Sequence, residues 1–448
     1  MRSEAQPGGP RSPYYFLSLE VENVRSFKDR QTLILADEAG RPKRWTVLLG
    51  DNGVGKTTLL QVLASFQSNL QPHGGNGRET AAFQFSRLFA ALRNPSFNFQ
   101  RGETPSLICQ ADLCYGAKIT DTDGISKKVK LSVDLGTNGG SLEGTFPGEA
   151  GPFVCYGYGS GRRMSQRALT ESRDEDTCKT LFDEGEPLLN AEEWLLQADY
   201  AAVKSDSETA RYRRDQIKNI LVRLLPDVED LRISAGGGSM KSPTVEAKTP
   251  YGWVSLRNLS SGYRSLVAWM VDLASRLFEA YPDSPNALAE PAVVLVDQID
   301  LFLHPKWQVT LINHLADLFP NAQFIATAHS PLIVQAAEDA NLVVLRREGD
   351  HVLIDNDPAR VRGWRVDQIL TSDIFGLTSA RGPKMEALLK ERRSLLSRPE
   401  ISEHERARLR TLDEDFAGVP FVESAQDAEA MELIRRAANK LRSNARVQ

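Results

Sequence analysis

The stretch Gly50-Asp51-Asn52-Gly53-Val54-Gly55-Lys56-Thr57-Thr58 combines residue types that can hold a phosphate chain. Gly50, Gly53 and Gly55 accept backbone angles that a Cβ forbids, so successive N–H groups can turn inward on phosphate oxygens at the positive end of the following helix. The spacing is G-x-x-x-x-G-K-[ST], in which Lys56 reaches β- and γ-phosphates and the Thr57 hydroxyl holds Mg2+. Asn52, Gly53, Gly55, Lys56, Thr57 and Thr58 are therefore the expected nucleotide-binding residues of this stretch. Three later stretches could complete the chemistry. Leu259-Ser260-Ser261-Gly262-Tyr263 sets a serine cap and a glycine at the start of a long apolar helix, which makes Ser260, Ser261 and Gly262 a second anion-binding terminus; taken alone they also describe an ordinary capped helix. The apolar run Val293 to Val296 ends in Asp297, as a buried parallel strand does when it delivers a carboxylate to the sheet edge, where Asp297 would anchor Mg2+ in the Walker B role. Gln298 follows it. A further buried strand, Phe324 to Ala328, ends in His329, placed to touch a γ-phosphate or to order an attacking water.

The elements that must position these residues are legible from periodicity. Alternation from Tyr14 to Leu35 predicts two strands in a hairpin-like pair ahead of the phosphate-loop strand Thr46 to Leu49, with Arg25-Ser26-Phe27 between them. A polar loop from Gln71 to Thr80 precedes three runs, Leu107 to Tyr115, Val129 to Leu135 and Phe153 to Tyr158, that fit an antiparallel sheet beside the nucleotide. Tyr156 to Arg163 places aromatics, three glycines and two arginines at a strand end, which suits either a phosphate or partner contact or a tight turn with solvated arginines. Glu171 to Glu186 reads as an acidic loop. Ala191 to Ala202 reads as a helix, and a second helix puts Ile217, Ile220, Leu221, Leu224 and Leu225 on one face before Pro226 stops it. The cluster Arg211-Tyr212-Arg213-Arg214 on that helix fits a nucleic-acid or acidic-partner contact, or a solvated face. Thr244 to Ala247 and Trp253 to Leu256 form a strand pair, and Leu342 to Leu345 with Val352 to Ile354 a closing hairpin. From Val366 the background is highly charged, with helical apolar spacing through Met385, Leu388, Leu389, Leu395, Leu396, Leu409, Leu412 and Phe416, then Met431, Leu433 and Ile434. The expected division is a disordered N-terminus (1–13), a first ATPase lobe (14–170), a helical lobe (171–235), a second ATPase lobe (236–365) and a C-terminal helical region suited to partner docking (366–448).

Composition narrows the class. The 448 residues are 41% hydrophobic, ample for a large core, and a net charge of −5 argues against a wholly basic nucleic-acid binder. Cys109, Cys114, Cys155 and Cys178 lack CxxC spacing and read as reduced, buried thiols. No apolar run is long enough to span a bilayer, and Met1 to Pro10 has no apolar core like that of a signal peptide, so a cytoplasmic location without membrane attachment is expected.

Taken together, Gly50 to Thr57, Leu259 to Tyr263, Val293 to Pro305 and Thr327 to Pro331 resemble the ABC-type ATPase heads of the SMC and RecF class, a P-loop α/β fold with a mixed sheet, here joined by a helical lobe and a C-terminal helical appendage. The resemblance implies ATP and Mg2+ as ligands and a homodimer, or higher homo-oligomer, in which Lys56 and Thr57 of one copy and Ser260 and Gly262 of the other enclose the nucleotide. It also implies that Arg25-Ser26-Phe27 lies near the adenine; a plain surface loop is the other reading. Two departures stand out: no glutamine is found at the strand end Cys155-Tyr156-Gly157, and Gln298 occupies the position where the class carries a catalytic glutamate. An amide keeps the size and can hydrogen-bond but accepts no proton, so hydrolysis should be slow, whether Gln298 is an engineered replacement or natural. Gln298 and His329 are the expected catalytic-position residues.

Within the class, Tyr156 to Arg163, Leu303-His304-Pro305 and the helical tail from Val366 resemble the ATPases of bacterial Septu and retron-associated anti-phage defence systems, which implies an HNH nuclease as partner. The expected function is then an ATPase subunit that regulates that nuclease. The alternative is a RecF-like DNA-repair ATPase that grips nucleic acid directly, which predicts a steep salt dependence of DNA binding.

Overall fold

The computed structural model describes residues 13–66, 106–121, 127–136, 139–143, 153–169, 176–205, 207–234, 243–358, 361–398 and 401–416. The expectations for residues 1–12, Gln71 to Thr80 and Met431 to Ile434 lie outside them. The chain divides into two compact units, Met1–Arg360 and Val361–Gln448.

The first unit contains three sheets, two of them large. Strands β1 (Tyr14–Glu22), β2 (Gln31–Ile34), β4 (Ser106–Tyr115), β5 (Lys127–Gly136) and β6 (Gly139–Glu143) form an antiparallel sheet in the order β2-β1-β4-β5-β6. The second sheet takes β3 (Trp45–Gly50), β7 (Cys155–Tyr158), β11 (Ala292–Val296), β12 (Ala322–Thr327), β13 (Asn341–Glu348) and β14 (His351–Asp355) in the order β14-β13-β3-β12-β11-β7. Every pairing in it is parallel except β13 with β14. All five residues of β11 and all six of β12 are buried, which is why both read as unbroken apolar runs rather than as alternation. Cys155–Tyr158 pairs with β11, Val294 opposite Tyr156, so the expectation that it joins the antiparallel sheet is corrected. A short apolar run carries no mark of which sheet it enters. The expected closing hairpin is present, but its first strand also runs parallel to β3.

Helix α1 (Lys56–Ser65) has nine of its ten residues buried, and its apolar side chains share one core with both sheets. Gln323 of β12, fully buried, joins those sheets: its side-chain amide accepts from the Phe16 N–H and donates to the Phe16 carbonyl, each at 2.8 Å, where β1 shifts register. The expected acidic loop contains a short helix, α2 (Lys179–Phe182), whose Thr180 hydroxyl donates to the Gly157 carbonyl at 2.9 Å. Helices α3 (Ala191–Lys204) and α4 (Glu208–Leu224) follow, capped by Asn190 and Ser207. A three-stranded sheet of β8 (Asp230–Ser234), β9 (Thr244–Thr249) and β10 (Gly252–Ser255) leads to the long helix α5 (Ser261–Ala280); β8 adds a strand to the expected pair. Buried Asp272 of α5 accepts from the Tyr158 hydroxyl at 3.0 Å and from Arg276 at 2.8 Å, which fastens α5 to β7. Helices α6 (Pro305–Leu318) and α7 (Pro331–Ala336) complete this unit. No helix among the described residues is long and apolar enough to cross a membrane.

The second unit contains α8 (Val366–Leu370), α9 (Pro383–Leu396) and α10 (Glu403–Asp415). Leu389, Leu395, Leu412 and Phe416 form its core with Met385, Leu388 and Leu409 packed against them, on the expected helical spacing. Leu396 departs from that stripe and is 54% exposed.

Candidate nucleotide site

Because β3, β11 and β12 are parallel and in register, their C-terminal ends lie at one edge of the sheet. The phosphate loop follows β3, Asp297 and Gln298 follow β11, and Thr327 to His329 end β12. A cleft of about 360 Å³ at this edge is lined by Arg25, Ser26, Asn52, Gly53, Gly55, Lys56, Thr57, Thr58, Asp297, Gln298 and His329. Every residue expected from the phosphate loop, the Walker B strand and the β12 end therefore meets in one place.

Local geometry accounts for the residue types. Gly55 has φ +94°, and a Cβ there would lie 2.7 Å from the Ser26 hydroxyl and 2.8 Å from the ring of fully buried Phe27. The Lys56 ammonium donates to the carbonyls of Gly50 and Asp51, both at 2.7 Å, and keeps a third proton to offer. Burial lowers its pKa, opposed by Asp297, Asp51 and Asp300. Both oxygens of Asp297 are engaged: the Thr57 hydroxyl donates to Oδ2 at 2.9 Å and the Thr327 hydroxyl to Oδ1 at 2.6 Å. Thr327 Oγ1 also accepts from the Gln298 N–H at 2.7 Å. His329 is held through its backbone, whose N–H donates to Asp300 Oδ2 at 3.1 Å, and its imidazole pKa is lowered by burial first and by Lys56 second. The Thr57 hydroxyl and the Asp297 carboxylate bring two hard oxygen donors together, a donor set that suits Mg2+.

The second expected terminus, at Ser260 to Gly262, is elsewhere. Ser260, Ser261 and Gly262 do not line this cleft, whereas Ser261 lines a separate cavity of about 990 Å³ together with Arg162, Arg264 and Phe302. Gly262 is pressed against the loop after β11: a Cβ there would lie 2.4 Å from the Phe302 carbonyl oxygen. Tyr263 anchors the turn, its hydroxyl donating to the Pro226 carbonyl at 2.7 Å and its ring meeting Trp307 edge-on at 4.5 Å. His304 caps α6, its Nδ1 accepting from the Lys306 N–H.

Several side chains take roles that residue type alone left open. Arg25 reaches the cleft and donates to the Thr58 hydroxyl at 3.2 Å. Arg162 is 3% exposed, so the reading of Tyr156 to Arg163 as a turn with solvated arginines holds only for Arg163. The basic cluster on α4 is engaged within the fold: Arg213 donates to the carbonyls of Phe278 and Pro282, and Arg214 pairs with Asp199 and Asp215. The sequence places Thr327 in a buried strand and at the head of the Thr327 to Pro331 motif, but nothing in its type signals that it organises Asp297 and Gln298.

Comparison with known proteins agrees with this geometry. Residues 159–335 match the family model described as "AAA domain, putative AbiEii toxin, Type IV TA system". The chain is 27% identical to the Septu protein PtuA of Bacillus mycoides over 412 residues, 89% of this chain and 50% of that protein. It is 32% identical to the Septu protein PtuA of Bacillus thuringiensis over 35% of this chain and 42% of that one, and 41% identical to the retron Vc95 probable ATPase of Vibrio cholerae over 20% of this chain and 18% of that one. The chain thus spans half or less of the length of these relatives. Among solved structures, the SMC head bound to the C-winged helix domain of ScpA aligns with TM-score 0.44 and 15% identity over 76% of this chain and 97% of that one. The resemblance to SMC-like ATPases, expected from four motifs, and its narrowing to the PtuA type, expected from Tyr156 to Arg163, Leu303 to Pro305 and the helical tail, are met by these relatives.

Proposed function

We propose that the chain is the ATP-binding, slowly hydrolysing ATPase subunit of a bacterial anti-phage defence complex, in which the nucleotide state of a homodimer, or of a higher oligomer built from it, governs a partner HNH nuclease of the PtuB type. The observation that carries the proposal is the single cleft lined by Lys56, Thr57, Asp297, Gln298 and His329. The loop N–H groups and Lys56 would bind the phosphates, and Thr57 and Asp297 would hold Mg2+. When bound, Mg2+ neutralises charge developing on the β- and γ-phosphate oxygens. His329 enters neutral at pH 7, since burial lowers its pKa, and offers one ring nitrogen as donor and the other as acceptor beside the γ-phosphate. Gln298 can orient a water but takes no proton from it, which keeps turnover slow. The separation of Ser260, Ser261 and Gly262 from this cleft supports a second copy as the source of the closing serine and glycine.

The test is calorimetric titration of the chain with Mg-ATP, followed by light scattering with and without nucleotide. Binding that disappears in Lys56→Ala, and dimerisation that needs ATP and fails in Ser260→Arg, are expected. ATP binding that survives Lys56→Ala overturns the site assignment. Co-expression with a neighbouring HNH nuclease should yield a complex; tight, ATP-dependent DNA binding by the purified chain at physiological salt, without such a partner, would favour the DNA-repair reading instead.

A further inference from the structure

Among the described residues Arg162 is the one arginine that is buried, and it lines the larger cavity rather than the cleft. It lies just past β7 with φ +32° and 3% exposure, and burial pulls its pKa down to about 10 against the opposing pull of Asp297 and Asp300. One guanidinium nitrogen donates to the carbonyls of Asp297, at 2.5 Å, and Gly159, at 3.2 Å, and the other donates to the Gln298 carbonyl at 2.7 Å. Its Cζ sits over the ring of Trp269, a buried residue of α5, 5.5 Å from the ring centroid.

The pattern of these bonds is specific to position 298. The Asp297 carbonyl belongs to the peptide before the Gln298 Cα, and the Gln298 carbonyl to the peptide after it. The N–H of the first peptide is bonded in turn to Thr327 Oγ1. Both peptide planes that define φ and ψ of Gln298 are therefore clamped, and Gln298 sits at φ +48°, in the left-handed region that a side-chain-bearing residue occupies only when its surroundings impose it. A guanidinium offers its donors from two nitrogens in a rigid planar fork, here with one nitrogen on each of the two carbonyls; an ammonium has a single nitrogen and no such fixed plane, so it cannot reproduce that geometry.

We propose that Arg162 is a positioning residue for the water-facing position: it holds the backbone of Gln298 in the left-handed conformation that turns its side chain into the cleft, and through Trp269 it ties that conformation to the helix that begins at Ser261. The proposal rests on the reading of the cleft as an ATP site. It separates binding from turnover, because Arg162 lines the larger cavity and not the cleft.

The experiment compares Mg-ATP affinity, single-turnover hydrolysis and thermal unfolding of the full chain carrying Gln298→Glu, which supplies a measurable rate, with and without Arg162→Lys. Expected is an ATP affinity within about threefold of the parent and hydrolysis at least about thirtyfold slower, in line with the loss of a positioned catalytic group. In Arg162→Ala, guanidinium ion at tens of millimolar should restore part of the rate while leaving Arg162→Lys unaffected. A lysine variant that hydrolyses at the parent rate, that loses affinity and rate by the same factor, or that no longer unfolds cooperatively overturns the proposal. A parent that binds no Mg-ATP overturns the reading of the cleft, an outcome distinct from these.

Discussion

The hydroxyl of Thr327 offers the sharpest test of how the site is held, because Thr327→Val removes it and little else. Thr327 is fully buried at the end of β12, and its oxygen makes two bonds: it donates to Asp297 Oδ1 at 2.6 Å and accepts from the Gln298 N–H at 2.7 Å. A hydrogen bond to a charged group contributes about 1.5–3 kcal/mol, and an amide left without its partner costs about 1–3 kcal/mol, toward the low end here because Gln298 is only half-buried. The added methyl gives back under about 1 kcal/mol of apolar burial. A net loss of about 2–4 kcal/mol follows, equivalent to a fall in Tm of about 3–5 °C for a unit of this size. The functional consequence is more diagnostic. Freed of one donor, the Asp297 carboxylate can rotate away from the Thr57 hydroxyl, so the Mg2+ concentration that half-saturates ATP binding should rise about tenfold, the usual effect of losing a partner behind a metal ligand. Nucleotide binding measured in EDTA should change little, since Lys56 and the loop amides are untouched. Scanning calorimetry with Mg2+ titrations at fixed ATP reads both effects. A Tm within 1 °C of the parent together with an unchanged Mg2+ requirement would refute the reasoning.

Three further outcomes are expected. Gln298→Glu should raise turnover by about 10²–10⁴, the range of general-base catalysis, in a phosphate-release assay, and an unchanged rate removes position 298 from the chemistry. Gly262→Ala puts a Cβ 2.4 Å from the Phe302 carbonyl oxygen, so the start of α5 or the 302 loop must shift by most of an ångström. ATP binding should survive while ATP-dependent self-association weakens at least tenfold by light scattering; loss of both together counts against the separation of the two surfaces. The His329 imidazole pKa lies below its ordinary value of 6.5, chiefly through burial and then through Lys56. A depressed folded-state pKa means that the unfolded chain takes up the proton first, so the contribution of neutral His329 is present above pH 6.5 and is lost as pH falls toward the lower folded value. The stability difference between the parent and His329→Gln should therefore shrink below pH 6.5, and an NMR titration midpoint for His329 at or above 6.5 would contradict the burial argument.

The cleft residues of the phosphate loop, the β11 end and the β12 end were legible because each is announced by its neighbours. Asp297 ends an unbroken apolar run, and such a run is what a parallel strand covered on both faces requires; the same logic found His329. What stayed hidden depends on contacts across hundreds of residues. The run from Phe153 to Tyr158 is equally apolar whether it joins the antiparallel sheet or pairs with β11, and only tertiary packing chooses β11. Gln323 reads as a polar interruption of a strand, yet its amide substitutes for a backbone partner of Phe16, 307 residues away. Arg162 sits in a glycine-rich turn, where charge ordinarily means solvent; only the convergence of the carbonyls of Gly159, Asp297 and Gln298 makes burial of that charge tolerable. The lone helical turn Lys179–Phe182 is too short to show a period.

Backbone strain marks the same places. Among the described residues, six without glycine's freedom have positive φ: Asn23, Arg25, Arg162, Asp227, Gln298 and Phe302. Arg25 and Gln298 line the cleft, and Arg162 and Phe302 line the larger cavity beside Ser261. Each such residue costs about 1–3 kcal/mol and persists only where surrounding bonds over-determine it. At Gln298 those bonds are visible, one to Thr327 and two to Arg162, and at Phe302 the constraint is the closely packed Gly262. Glycine at 298 or 302 would relieve the strain, but at 298 it would remove the side chain that faces the cleft. At 302 it would remove an aromatic that is 57% exposed beside the serine terminus. Two of the six strained positions, Gln298 and Phe302, thus follow β11 and present their side chains to the cleft and to the larger cavity, while Arg162, past β7, is turned inward onto the carbonyls that hold Gln298.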